Sequence, residues 1–329
     1  MKTNFLIAAM VLSALLTMNG PLDAAPNISE CGPTRIQPSI VEGQSISTLS
    51  RDAQGMVPLK IEKDGHYLMV YADEASAGAA LSYGPCLLTQ IDLLRVLLDD
   101  DRRVAEWDSV VFTSDENYTP PRSADIQDRW VIYTGSSVKT GQGAQNMIMG
   151  TIPHEQVHEF QTRAGARLPR WFREGHAEWI GSKVSSMIAP AFQATQKAEL
   201  LAPLDGFDDD LDLKGWGSVR PTREAIMRQV SPAEQAKMRE DPTYQPNGTF
   251  RFTQDDLETD MSNELPRYAA PFLVFERLEG KHGFKAVQQW AKEVTSKEGK
   301  VSHKELKRSF RDAFDMDLDE ALAWRASPG

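Results

Sequence analysis

The chain has 329 residues, of which 41% are hydrophobic and 25% charged, and its formal net charge at pH 7 is -11. A chain of this length and ordinary composition can bury a substantial core, which excludes a disordered or fibrous protein and predicts two closely associated subdomains. Nucleic-acid binding depends on clustered basic residues, so the acidic charge argues against a nucleic-acid partner.

Residues 1–24 are predicted to be a secretory signal peptide. They contain an early Lys2 and an apolar run at residues 5–16, and P-L-D-A-A at residues 21–25 resembles a small-residue cleavage site. The run is shorter than the roughly 20 apolar residues of a membrane helix, and no later segment approaches that length. We therefore expect an exported protein, periplasmic or secreted, without a membrane span after cleavage. An uncleaved anchor is the alternative.

Cys31 and Cys86 are the two cysteines of the chain. In an oxidising compartment an even number of cysteines favours a disulfide, so we expect one bond between them. It would close a loop of roughly 55 residues, for which chain-entropy reasoning gives about 4 kcal/mol at most. The alternative is a pair of unpaired buried thiols.

The residues after Cys31 predict a mixed sheet and a helix. Val57–Lys63 and His66–Ala72 flank an Asp-Gly turn signal, so they are expected to pair as a β-hairpin. Residues 87–106 have helical periodicity. The β-branched and aromatic runs at residues 110–113 and 129–134 are expected to extend the sheet.

Residues 154–158 read H-E-Q-V-H and indicate a zinc site. Residues four apart lie on the same face of a helix, so His154 and His158 can offer two imidazole nitrogens to one metal ion. Glu155 then lies beside the metal, where its carboxylate can take a proton from a zinc-bound water that attacks a carbonyl. The bland alternative is that so short a motif arises by chance and the histidines are solvated. Because Pro153 is unfavourable inside a helix, the helix either begins near Thr151 or kinks there.

A third ligand is expected in the segment that follows, because catalytic zinc usually takes three protein ligands and leaves a fourth position for water. Glu174 fits this role. One helix can end after His158, turn at Gly165 and restart at Pro169, which returns Glu174 toward the first helix. Glu178 lies one turn further on the same face, where its carboxylate could accept the outer N–H of a ligand histidine.

The H-E-x-x-H motif and the pattern P-x-W-x-x-E-G-x-A-E-W at residues 169–179 resemble the gluzincin metallopeptidases, in particular the peptidase-MA-like group. The resemblance implies that His154, His158 and Glu174 bind zinc and that Glu155 is the general base. It also implies that residues 129–134 form the sheet edge with which an extended substrate pairs.

His176 is the rival third ligand. Glu174 is favoured because a carboxylate in this position is the thermolysin-like pattern and E-G-x-A is typical of the group. His176 is then expected to be a partly buried helix residue. A metzincin is excluded, because its motif would need glycine at Gln161 and histidine at Ala164.

Residues 183–265 are rich in prolines and polar residues, and we expect an irregular insertion that packs over or beside the cleft. Short helices are expected at residues 190–201 and 232–240. The acidic run at residues 208–212 lacks the glycine and glutamate of an EF-hand and predicts a solvated loop.

From residue 266 onward the pattern is helical again, and the tail resembles the C-terminal subdomain of the same family. Helices are expected at residues 268–279, 284–294, 303–314 and 317–325. In that family a Tyr or His across the cleft donates a hydrogen bond to the oxyanion of the tetrahedral intermediate. Tyr268 is the candidate for this role and Arg267 a weaker one. The alternative for Tyr268 is an aromatic residue that packs the first turn of a helix.

The combined prediction is an exported α+β protein with a zincin-like fold. It has a signal peptide at 1–24, an N-terminal sheet and metal-helix subdomain at 25–182, an insertion at 183–265 and a helical subdomain at 266–329. The expected function is hydrolysis of peptide bonds in a peptide or protein substrate, with Zn²⁺ as the cofactor. Two alternatives stay open: a zinc-stabilised binding or scaffold protein without activity, and a metal-dependent hydrolase of a non-peptide amide.

Overall fold

The computed structural model describes residues 44–48, 55–63, 66–100, 109–115, 117–118, 129–133, 146–163, 165–207 and 211–323. The predicted signal peptide and residues 208–210 of the acidic run lie outside these ranges. Cys86 is buried and disulfide-bonded, whereas Cys31, its predicted partner, lies outside the described residues. Among the described helices, none combines the length and the apolar composition that crossing a bilayer requires.

The described part of the chain is a mixed α+β structure whose N-terminal strands form a five-stranded sheet. These strands are β1 (Gln44–Thr48), β2 (Val57–Lys63), β3 (His66–Ala72), β4 (Ser109–Thr113) and β5 (Arg129–Tyr133), and their spatial order follows the chain. Strands β1, β2 and β3 are antiparallel, whereas β4 and β5 join in parallel. The predicted hairpin and both later strands are confirmed, and β5 lies at an edge of the described sheet.

Helix α1 (Ala77–Leu98) packs on the sheet and begins well before the predicted residue 87. Its first turns contain Gly84 and Pro85, which are poor helix formers, so local propensity argued against a helix there. Tertiary packing decides otherwise, because a Cβ at Gly84 would lie 2.1 Å from Ile61 Cδ1. Helix α1 therefore lies close to β2 at Gly84, and a larger residue there would need the buried Ile61 side chain to move. The helix ends before the predicted residue 106, at Asp99, whose φ of 52° is left-handed.

The metal-motif helix α2 (Ile152–Arg163) begins next to the predicted Thr151, but a π-helical turn (Met147–Thr151) precedes it. Pro153 has no N–H to give to the preceding turn. The carbonyl oxygens of that turn are bonded from neighbouring helices instead. Gln90 Nε2 of α1 donates to Ile148 O at 2.6 Å, and the Ser185 hydroxyl donates to Met149 O. The proline is thus tolerated because two side chains replace the missing backbone donor.

A second helix, α3 (Arg170–Ile188), folds back on α2 after a short connection. Gly165 takes a left-handed φ of 75° in this turn, and β6 (Ala166–Arg167) follows. At the level of the metal motif, a Cβ at Gly181 would lie 3.0 Å from His154 N and 3.1 Å from His154 Cα. Glycine at this position lets the two helices approach closely. Helix α3 continues past the predicted subdomain boundary at residue 182.

The segment predicted as an irregular insertion contains more regular structure than expected. It holds α4 (Pro190–Leu201), the antiparallel ribbon of β7 (Val219–Pro221) and β8 (Leu257–Thr259), α5 (Arg223–Met227) and α6 (Pro232–Glu240). Helices α4 and α6 have the predicted bounds, and each begins with a proline, which suits the first helical turn. The ribbon was not predicted, because three-residue strands carry no detectable alternation.

The C-terminal part is helical, as predicted. It consists of α7 (Glu264–His282), α8 (Phe284–Thr295), β9 (Gly299–Lys300), α9 (His303–Phe314) and α10 (Leu318–Leu322). One hydrophobic core joins these helices to the sheet. At its centre the rings of Phe172, Phe275 and Trp290 contact one another with centroids 5.2–5.8 Å apart. The sheet and the C-terminal helices therefore stabilise each other through shared burial.

Helices α3 and α7 contact each other at Gly175, and we expect Gly175→Ala to destabilise the protein. A Cβ there would lie 2.7 Å from Pro271 Cβ and 2.9 Å from the Pro271 carbonyl carbon, which is backbone and cannot rotate away. Overpacking of this kind costs about 1–3 kcal/mol of unfolding free energy. Gly280→Ala is the matched control, because a Cβ at Gly280 meets nothing within 4 Å. Chemical denaturation should show Gly280→Ala to be neutral or more stable, and equal losses in both variants would contradict the close contact.

Candidate metal centre

Three buried side chains converge between α2 and α3. His154 Nε2 lies 3.0 Å from His158 Nε2, and Glu174 Oε2 lies 3.4 Å and 3.1 Å from these two nitrogens. The three residues are at most 7% exposed. Two imidazoles and one carboxylate that point to a single position could hold a metal ion. The structure thus brings the predicted Glu174 to the two histidines.

The hydrogen bonds on the far side of each ring determine which nitrogen faces the centre. His154 Nδ1 lies 2.8 Å from Glu178 Oε2, and His158 Nδ1 lies 2.9 Å from Gln161 Oε1. Carboxylate and amide oxygens accept hydrogen bonds, so each ring carries its hydrogen on Nδ1. Both Nε2 atoms then face Glu174, where each can donate a hydrogen to the carboxylate when protonated or offer its lone pair to a metal ion. Glu178 has its predicted partner, whereas Gln161 was not predicted to take part.

The spacing of the three ligand atoms can be compared with that of a tetrahedral zinc site. Ligand atoms about 2.0–2.2 Å from a tetrahedral zinc ion are separated by roughly 3.3–3.6 Å. The separations of 3.0, 3.1 and 3.4 Å among the three atoms are close to this range. Two imidazoles and a carboxylate at such distances need a positive charge among them, either a proton on an imidazole or a metal ion. The chemistry of the three groups therefore fits a cation.

The pKa shifts of His154 and Glu174 also favour a positive charge between the histidines and an ionised carboxylate. Burial alone would lower the pKa of His154, but hydrogen bonds to Glu174 and Glu178 raise that pKa well above its ordinary value. Burial alone would raise the pKa of Glu174, but the charge of His158 and hydrogen bonds from both histidines hold it well below its usual range. The carboxylate of Glu174 therefore stays ionised and the pocket stabilises one positive charge.

Glu174 presents only one oxygen to the histidines, because Arg173 binds the other. Arg173 Nε and Nη2 donate to Glu174 Oε1 at 3.2 and 2.7 Å. Glu155, the predicted general base, is half-buried on the neighbouring position of α2. Within the described residues no hydrogen bond engages its carboxylate, and its negative charge contributes to the raised pKa of His154. Glu155 is thus close to the ligand set with its carboxylate available to a substrate or a water.

Tyr268 lies beside the centre and also packs against a neighbour. Its hydroxyl oxygen accepts a hydrogen bond from Arg170 Nη2 at 3.0 Å, and its ring meets that of Trp216 edge-on at 4.9 Å. Burial and the nearby charge of Glu174 raise the pKa of Tyr268 to about 12. Because Arg170 only donates, the Tyr268 hydroxyl keeps its own hydrogen for another acceptor. The packing and catalytic interpretations of Tyr268 are therefore compatible.

The other two candidates have different partners. Arg267 is buried and pairs with Asp260 at 3.1 Å, which anchors the end of the β7–β8 ribbon to α7. His176 is only 2% exposed, more buried than predicted, and its Nδ1 lies 3.1 Å from Gln161 Nε2. Its ring packs between aromatic rings of α3 and α7. These rings belong to Phe172, Trp179 and Phe275. The geometry thus separates His176 from the ligand set.

Comparison of the chain with protein-family models and with curated proteins gave no match. The class of site rests on the residues themselves: a buried centre of two histidines and one carboxylate on a helical hairpin. Glu155 and Tyr268 lie close enough to interact electrostatically with its members. Three protein ligands are the number that a catalytic rather than a structural zinc uses.

Proposed function

We propose that this chain is a zinc-dependent metallopeptidase of the gluzincin type with a zincin-like fold. The observation that carries the proposal is the convergence of His154, His158 and Glu174 at distances that suit a zinc ion. Imidazole and carboxylate ligands are compatible with zinc, and a three-ligand set leaves one position for the reaction. The H-E-x-x-H sequence places a carboxylate, Glu155, next to that position.

Each residue then has a defined role. A zinc ion held here would polarise the scissile carbonyl and lower the pKa of a water molecule. Glu155 accepts the proton of the attacking water and passes it to the leaving amine. Glu178 and Gln161 hold the two imidazoles in the tautomer that presents Nε2. Tyr268 donates its hydroxyl hydrogen to the oxygen of the reacting carbonyl.

A polypeptide substrate is favoured by the position of β5. This strand precedes the metal helix in the sequence and lies at an edge of the described sheet. An exposed edge can pair with an extended peptide through backbone hydrogen bonds. Export is supported by the disulfide at Cys86, because such bonds persist in oxidising compartments.

Metal analysis combined with a protease assay tests the proposal. The purified protein should contain close to one zinc per chain and hydrolyse a general protein substrate such as casein. Chelation should remove the activity and added zinc should restore it. Zinc without hydrolysis of any amide would favour the scaffold alternative, and hydrolysis of acyl amides but not of peptides would favour the non-peptide hydrolase. A protein that binds no metal would contradict the proposal.

For Tyr268→Phe we expect turnover to fall by about 10²–10³, the usual effect of removing one oxyanion donor. Zinc content and folding should be unchanged, because the phenyl ring preserves the contact with Trp216. Tyr244→Phe is a matched control, since its hydroxyl is also hydrogen-bonded, to Glu234 on α6, but belongs to the insertion. Steady-state kinetics should separate the two variants. Equal activity of Tyr268→Phe and the wild type would return Tyr268 to a packing role.

A further inference from the structure

We propose that Gln161 is a positioning residue that orients two of the three metal ligands at once. Its side chain fixes the tautomer of His158, and it ties the main chain next to Glu174 to the end of α2. This inference rests on the proposed function to the extent that the three ligands bind a metal. It assigns a role to a residue that the H-E-x-x-H motif does not include.

The orientation of the Gln161 amide follows from its partners. The side chain is 1% exposed, so its donors and acceptor must be satisfied inside the protein. One partner is the carbonyl oxygen of Arg173, 3.0 Å from Nε2, and a carbonyl oxygen can only accept. The amide nitrogen therefore lies on that side and Oε1 faces His158. The histidine must then carry its hydrogen on Nδ1 and direct the Nε2 lone pair toward the metal position.

The bond to Arg173 has a second consequence. Arg173 immediately precedes Glu174, so Gln161 links the backbone of the third ligand on α3 to the side chain of the second ligand on α2. Gln161 lies in the last turn of α2, which ends at Arg163. One buried amide thereby maintains the distance between His158 and Glu174.

The same network accounts for a buried histidine that does not bind the metal. Gln161 Nε2 also lies 3.1 Å from His176 Nδ1, which accepts the second amide hydrogen. His176 therefore carries its own hydrogen on Nε2. Both hydrogens of the Gln161 amide are directed away from His158, which leaves no alternative orientation with equal hydrogen bonding.

Helix α2 supplies a matched control. Gln156 is on the same helix and 3% exposed, but neither atom of its amide is hydrogen-bonded within the described part of the chain. Gln156 lies between His154 and His158 in sequence and on another face of the helix. Replacing it with methionine removes an amide of the same size at similar burial without removing a hydrogen bond to a ligand residue.

The experiment compares zinc affinity, measured by competition with a chromophoric chelator, in the wild type, Gln161→Met and Gln156→Met. We expect Gln161→Met to bind zinc about 10–100-fold more weakly, as is usual when an outer partner of a ligand histidine is lost. Gln156→Met should bind zinc as tightly as the wild type. Gln161→Glu should lose less affinity than Gln161→Met, because a carboxylate can still accept from His158 but cannot donate to Arg173 O.

A spectroscopic readout separates positioning from a general loss of stability. In the zinc-loaded wild type, ¹⁵N-histidine NMR should show slowly exchanging Nδ1–H protons for both His154 and His158. The His158 signal should shift or exchange in Gln161→Met and persist in Gln161→Glu and Gln156→Met. Thermal unfolding of the metal-free proteins monitors stability independently. Gln161→Glu keeps the test available if Gln161→Met does not fold.

Three results would overturn the inference: wild-type affinity in Gln161→Met, an equal loss of affinity in Gln156→Met, or an unchanged His158 signal in Gln161→Met. If the wild type itself binds no zinc, the proposed function fails together with the inference. If the wild type binds zinc and hydrolyses peptides while Gln161→Met equals it, only the inference fails.

Discussion

Glu155→Gln should abolish nearly all hydrolysis while zinc binding and folding are retained. Glutamine fills the same volume but cannot accept a proton from the attacking water, and general-base catalysis usually contributes 10²–10⁴-fold to the rate, so turnover should fall by about that factor. Zinc content should not change, because Glu155 is not among the three converging ligands. Turnover, bound metal and circular dichroism measured on one preparation test all three statements.

Glu159→Gln is the matched control for this prediction, since Glu159 is a half-buried glutamate one turn further along α2. The Glu159→Gln variant should hydrolyse substrate at nearly the wild-type rate. If Glu155→Gln hydrolysed substrate at the wild-type rate, the centre would not be the catalyst. The zinc-stabilised scaffold would then be the better interpretation.

Glu174→Ala should lose zinc. Its loss of zinc affinity should exceed that of variants such as Gln161→Met, which remove only a hydrogen-bond partner of a ligand histidine. Because outer partners typically account for 10–100-fold in affinity, we expect removal of a direct ligand to weaken binding by more than about 100-fold. His176→Phe is the comparison that decides between the two candidates for third ligand. It retains an aromatic ring among Phe172, Trp179 and Phe275. Its zinc affinity should fall by no more than about 100-fold.

Chelator competition and metal analysis measure both variants. A Glu174→Ala protein with wild-type affinity beside a His176→Phe protein without zinc would reverse the ligand assignment. Loss of zinc in both to the same extent would mean that the α2–α3 hairpin had been disrupted. Circular dichroism on each variant distinguishes that case.

The parts of the site that follow from local periodicity were predictable from the sequence. His154 and His158 share a helical face because they are four residues apart, and the same spacing relates Glu174 to Glu178. Only the return of α3 onto α2 had to be assumed, and Gly165 and Pro169 supplied the turn signals. The bounds of α4 and α6 could also be predicted from the sequence, since each helix begins at a proline and has its own periodicity.

The features that depend on contacts distant in the sequence were missed. The N-terminal half of α1 contains glycine and proline, and the helix there packs on the sheet, with Gly84 close to Ile61. The π-helical turn before α2 persists because Gln90 and Ser185 bond its carbonyl oxygens. No sequence pattern encodes such partners.

The sequence around Gln161 carries a local signal beyond its mismatch with the metzincin motif. It lies three residues after His158, on the same face of α2, which is the spacing at which helical side chains meet. A polar residue at that position is a candidate partner for the outer nitrogen of a ligand histidine. Its bonds to Arg173 and His176 on α3 could not be inferred from spacing alone.

The contact between Gly175 and Pro271 has an evolutionary consequence. Glu174 lies on α3 and Tyr268 on α7, and the two helices contact each other directly instead of through the residues between them. Residues 189–263 connect the end of α3 to the start of α7. Insertions, deletions and new surface chemistry that spare Trp216 and Asp260, which contact α7, can accumulate there without changing the separation of Glu174 and Tyr268. If the proposed function is correct, related chains should differ in substrate choice within this segment while the catalytic residues stay the same.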